Sequence, residues 1–135
     1  GHVTDIMPTL IDLCGGNYPS RAGGAKLPPM EGVSLMPILS GKNVERHHPI
    51  IVEHDGHKML RAGDWKIVQE YMEPLWRHYN MKDDPTEMKD LAAEQPDRLR
   101  KMIALYDKTA ARTGVDPGID FKIGKWYTPV AEYLN

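Results

Sequence analysis

Residues 96–113 are the one long stretch with an unbroken helical period, and they limit what the rest of the chain can be. Leu99, Met102, Ile103, Tyr106 and Ala110 recur on one face, while Arg98, Arg100, Lys101, Asp107, Lys108 and Arg112 lie mostly off it. Pro96 suits the first helical position, Asp97 the positive end of the dipole, and Gly114 the stop. The runs ahead of this helix carry a strand pattern. Ile50-Ile51-Val52 is short and β-branched. Lys58 to Ala62 and Trp65 to Tyr71 flank Gly63-Asp64, a two-residue hairpin turn, and Trp76 to Met81 supplies a fourth aromatic-rich candidate. Residues 83–87 (Asp83-Asp84-Pro85-Thr86-Glu87) then break the sheet. An amphipathic helix and half-polar strands each need a surface to bury against. The expected fold class is therefore α+β: a small antiparallel sheet of three or four strands packed against a long C-terminal helix, preceded by two short helices.

The first short helix is expected from Ile6 to Cys14, with Asp5 or Thr4 capping it, Pro8 tolerated in the first turn and Gly15-Gly16 ending it. The second runs from about Leu35 to Leu39, with Ser34 as cap and Gly41 as stop. Tyr18 to Met30, punctuated by glycine and proline, reads as loop. With 12 glycines and 11 prolines in 135 residues, many turns and short elements are favoured over a helical bundle. A net charge of −2 argues against nucleic-acid binding driven by counterion release. No apolar run has the length to span a bilayer. The single cysteine, Cys14, cannot form an internal disulfide and is read as a small residue closing the last helical turn. Gly1 stands where an initiator Met would, as expected of a piece of a longer protein.

Four strings, in order, resemble the C-terminal part of a type I sulfatase, of the bacterial arylsulfatase kind. They are residues 2–15, from His2-Val3-Thr4-Asp5 to Cys14-Gly15; residues 27–41, from Leu27-Pro28-Pro29 through Gly32-Val33-Ser34 to Gly41; residues 61–68, around Gly63-Asp64-Trp65-Lys66; and residues 79–92, around Asp84-Pro85-Thr86-Glu87. Each also reads as scaffold: helix starts, a hairpin tip and a turn. The resemblance covers roughly the first 110 residues. It implies the C-terminal subdomain of an alkaline-phosphatase-like α/β enzyme, with residues 1–48 connecting from the large domain, 49–114 the subdomain, and 115–135 a tail. The tail aromatics are core filler or an oligomer contact.

The resemblance also implies what the parent uses. Sulfate-ester hydrolysis there takes a formylglycine made in a Cys/Ser-x-Pro-x-Arg motif, and a calcium ion on hard oxygen ligands. Cys14 is followed by Gly15-Gly16, and Asn17-Tyr18-Pro19-Ser20-Arg21 has Asn17 where the nucleophile precursor must stand. No catalytic residue and no metal site is therefore expected in this chain, which should be inactive alone. Calcium and formylglycine belong to the parent, together with the sulfate ester and the missing N-terminal sulfatase domain. In the family the corresponding hairpin approaches the cleft mouth, which makes His54, His57 and Arg61 the candidate substrate-binding residues. They are weighed against solvated turn residues. A zinc or copper site from His47, His48, His54 and His57 is a weaker alternative. The rival functions are a phosphonate or phosphate ester hydrolase of the same superfamily, and a free-standing binding or oligomerisation module. A detached piece should expose the apolar face of the first helix and self-associate. A bacterial parent implies a periplasmic or secreted location.

Overall fold

The computed structural model of the chain describes residues 1–71 and 73–115. The reading of the tail lies outside them from residue 116 on. The described chain divides into two compact units, one formed by Gly1–Ile50 and the other beginning at Ile51.

In the first unit a 3-10 turn at Val3–Asp5 leads into α1 (Ile6–Leu13). The expected cap is not formed: no side chain caps α1, and Asp5 is instead fully buried. Asp5 Oδ2 accepts from the His2 amide at 2.7 Å, and Oδ1 accepts from the Val33 amide at 3.0 Å. Arg46 forms a salt bridge to Oδ2. A carboxylate that satisfies a neighbouring amide, a distant one and a guanidinium gains more than one that caps a single turn. Two more side chains tie the first string to the second. Thr9 Oγ1 accepts from the Leu35 amide at 3.0 Å, and Ser34 Oγ donates to Asp12 Oδ2 at 2.5 Å. Ser34 Oγ also accepts from the Met36 amide at 3.2 Å, but the cap position of α2 (Met36–Leu39) is Leu35, one residue after the expected Ser34. Residues read as loop contain a two-residue-strand hairpin, β1 (Arg21–Ala22) and β2 (Ala25–Lys26). Its signal was Gly23-Gly24, both at positive φ as a type I′ turn requires.

In the second unit β3 (Ile50–His54), β4 (His57–Ala62), β5 (Trp65–Gln69) and β6 (Arg77–Asn80) form a four-stranded sheet in chain order. Asp55 and Gly56, both at positive φ, turn β3 into β4. Gly63-Asp64 turns β4 into β5, with Ala62 opposite Trp65. The last strand is shorter than the expected 76–81. α3 runs from Pro96 to Thr113 as read, and ends on Gly114 in the left-handed region at φ 78°. Its stripe packs on one face of the sheet, where Leu60, Ile67, Met102, Tyr106 and Ala110 make the core. Trp76 joins it, 5.0 Å from the Tyr106 ring.

The aromatics Trp65, Trp76 and Tyr79 are expected from the sequence to pack on this helix, and for Tyr79 the strand register corrects that. Leu60 pairs with Ile67 and Ile67 with His78, so His78 shares the helix-facing side, while Tyr79, opposite Lys66, lies on the other. His78 is fully buried, its ring 5.2 Å from that of Trp65, and neither ring nitrogen has a hydrogen-bond partner. Burial, and secondarily the Arg98 charge, push its pKa down, with Asp90 opposing. Arg98 is not simply on the wet face of α3: its guanidinium sits 3.7 Å from the centre of the Trp65 ring.

A neutral buried imidazole has a defined pH signature. The unfolded chain binds a proton below about pH 6.5, whereas the native chain resists it, so stability is complete above that pH and declines as the pH falls below it. The expected slope is about 1.4 kcal/mol per pH unit until the depressed native pKa is reached. His78→Leu should remove this slope and cost little at pH 7.5, because it deletes two unbonded polar atoms from the core. Denaturant midpoints at pH 5 and pH 7.5 for both proteins provide the check.

Candidate functional site

The two-residue Gly63-Asp64 turn fixes the register of β4 against β5. Lys58 faces Gln69, and the next position places His57 beside Glu70. His57 Nδ1 stands 2.6 Å from Glu70 Oε2, and its ring lies 6.3 Å from that of Tyr71. His54, at the end of β3, is 83% exposed and has its Nε2 3.6 Å from Asp55 Oδ2. Both histidines line a shallow hollow of about 190 Å³ whose wall includes Val52, Met59, Lys66, Val68 and Glu70. An apolar wall rimmed by imidazole, carboxylate and ammonium groups can hold a polar ligand by hydrogen bonds. It offers no activated nucleophile.

The structure therefore brings His54 and His57 together and leaves Arg61 apart. Arg61 shares a face of β4 with His57 and Met59, but it lies four residues along the strand, about 13 Å away at the usual rise. Its Nε donates to the Gly63 carbonyl at 3.2 Å, which draws the guanidinium to the hairpin tip. Glu70, Met59 and Val68 were not singled out in the sequence. The signal that would have found Glu70 is the turn itself, since counting back from Gly63-Asp64 pairs residue 57 with residue 70.

On the same sheet face the third and fourth strings meet. Lys66 pairs with Glu87, and the Met81 amide donates to the Asp64 carbonyl at 2.6 Å. Glu87 takes a left-handed φ of 60°. The turn around it is held by Asp84, whose Oδ2 accepts from the Lys89 amide at 2.8 Å and whose Oδ1 accepts from the Met88 amide at 3.0 Å. Those two amides hold the Asp84 carboxyl below its ordinary pKa. Residues that look like an acidic site are thus a structural hub.

Among the described residues no group of three or more His, Cys, Asp or Glu side chains could hold a metal ion. The donor set for calcium is not built among them. The four-histidine zinc or copper alternative does not assemble either.

No family model matches the chain. It is similar to an N-acetylglucosamine-6-O-sulfatase of Bacteroides thetaiotaomicron, 30% identical over 112 residues, which covers 78% of this chain and 20% of the relative. A Delta 4,5-hexuronate-2-O-sulfatase of the same organism is 32% identical over 100 residues, covering 67% of this chain and 19% of the relative. The solved structure of a 2-O GAG sulfatase matches the fold with a TM-score of 0.60 at 31% identity, over 83% of this chain and 25% of that one. The chain spans about a fifth of the length of the curated relatives it matches. Similarity of sequence and of fold over the same residues makes this chain a member of the sulfatase family, corresponding to its C-terminal portion.

Proposed function

We propose that this chain completes a sulfatase that hydrolyses sulfate esters of carbohydrates, covering one edge of the large domain and shaping the wall of its cleft. The observation that carries this reading is the match to sulfatases over only a fifth of their length, in a chain without a Cys/Ser-x-Pro-x-Arg motif. The formylglycine nucleophile and calcium then belong to the part of the enzyme outside these residues. The names of the relatives, an N-acetylglucosamine-6-O-sulfatase and a Delta 4,5-hexuronate-2-O-sulfatase, favour a sulfated sugar as substrate. In this setting His54 and His57 contact the sugar beyond the reacting sulfate. Arg61, at the far end of the same strand face, contacts a more distant unit.

The test uses the continuous polypeptide that the gene encodes. It is expected to release sulfate from sulfated monosaccharides, while the 135-residue chain alone gives no turnover of 4-nitrophenyl sulfate above a buffer control. His57→Ala in the continuous enzyme should raise KM several-fold with kcat unchanged, as loss of uniform binding does. Turnover by the isolated chain, or a reading frame with no hydrolase ahead of His2, would overturn the proposal.

A further inference from the structure

The first unit carries its amphipathic helix inside out. At about 100° per residue, Ile6, Leu10 and Leu13 of α1 fall within about 60° of one another, and Met7 and Cys14 widen the arc to about 120°. This arc faces outward: Ile6 is 57% exposed, Met7 56%, Leu10 50% and Leu13 62%, and Cys14 is exposed as well. The opposite side holds Asp5, Pro8, Thr9 and Asp12. Asp5 and Pro8 are buried, and Asp5, Thr9 and Asp12 bond to the segment 33–35. A helix of a self-sufficient unit does the reverse, turning its apolar arc in and its polar side out.

An arc of this kind has an occupant. A membrane surface fits poorly, because α1 has no Lys or Arg to meet anionic headgroups and bears Asp12 instead. The length of polypeptide outside this chain points elsewhere, since four-fifths of each curated relative lies beyond the match. We infer that the Ile6–Leu10–Leu13 arc is the seat on which the large sulfatase domain docks, so that α1 is a shared core helix joining the two parts. This rests on the sulfatase reading above and deepens it by naming the surface and its occupant.

Cys14, at the edge of the arc, gives a direct probe. In the isolated chain its thiol should react freely with a maleimide. In the continuous polypeptide the same thiol should react on the order of a hundredfold more slowly, because it must wait for the docked helix to open. Leu10→Glu separates docking from folding. In the isolated chain it replaces an exposed apolar side chain and should leave the circular dichroism and melting unchanged. In the continuous polypeptide it should restore fast Cys14 labelling and cost most of the soluble yield. Leu60→Glu, in the core of the second unit, should damage both forms. Three results would overturn the inference. The continuous enzyme could hydrolyse sulfate esters while Cys14 labels as fast as in the isolated chain, which removes the docking seat and leaves the sulfatase reading standing. The continuous polypeptide could form a dimer that protects Cys14 and is broken by Leu10→Glu, which makes a second copy the occupant. A reading frame lacking a large domain would remove the occupant and the sulfatase reading together.

Discussion

Gly32→Ala is expected to loosen the first unit by about 3 kcal/mol, the upper end of what overpacking costs. A Cβ built on Gly32 would stand 2.0 Å from the Thr4 carbonyl oxygen, 2.4 Å from its carbon and 2.8 Å from the Asp5 nitrogen. All three are backbone atoms of the turn that opens the unit, so no side chain can swing away to make room. The chain must separate there, and the neighbouring hydrogen bond from the Val33 amide to Asp5 Oδ1 goes with it. Gly16→Ala is the matched control. Its nearest neighbour would be the Ile11 carbonyl oxygen at 3.6 Å, an ordinary contact, and its φ is not in the left-handed region. That substitution should be neutral or stabilise by about 0.5 kcal/mol through the unfolded chain. Amide hydrogen exchange at Val33 and Leu35 reads both variants. Equal protection in Gly32→Ala and the parent would mean that the close approach does not matter.

The contrast between those two glycines bears on what a sequence reader could see. Gly15-Gly16 was legible as a helix stop, because a local signal needs only its neighbours. Gly32 was quoted within the second string, but its reason is a backbone lying 28 residues away, and no local pattern carries that. The same division holds across the fold. The bounds of α3 and the Gly63-Asp64 turn came from period and turn chemistry, and the sheet followed from them. His78 was hidden because the alternation over Arg77-His78-Tyr79 makes an aromatic the natural inward residue, whereas the register with Ile67 turns the imidazole in. Asp5 looked like a helix cap because capping is the local use of an aspartate. It does accept from the nearby His2 amide, but its other partners, Val33 and Arg46, were out of reach of a local argument. Of the three residues singled out in the sequence, His54 and His57 line one hollow, while the separation of Arg61 needed the strand geometry that follows only once His57 is placed beside Glu70. Resemblance supplied the family, and packing shows how its strings work in pairs: the first is bonded to the second, and the third to the fourth.

Asp5→Ala should be the most damaging single substitution in the first unit, costing about 3–5 kcal/mol, because it strands the Arg46 guanidinium and leaves the His2 and Val33 amides without their acceptor. Replacing both charged partners, as in Asp5→Leu with Arg46→Met, should recover part of the loss at the guanidinium but not at the two amides, which still lack an acceptor. The carboxylate also has its own acid limit. Burial alone would raise its pKa, but Arg46 and the amides of Val33 and His2 outweigh that and hold it at about 2, against an ordinary 3.8. With the native value depressed, the stabilisation is complete above the unfolded pKa of 3.8 and drains away as the pH falls through about 2. The shift corresponds to about 2 kcal/mol. Asp5→Asn should flatten the decline between pH 5 and pH 2, whereas His78→Leu acts on the separate decline below pH 6.5. Because the two residues belong to different units, exchange at the Val33 amide should follow the lower window and exchange within α3 the higher one. A single window shared by both sets of amides would show that the two units unfold as one, and the assignment of each pH limit to its own residue would fall.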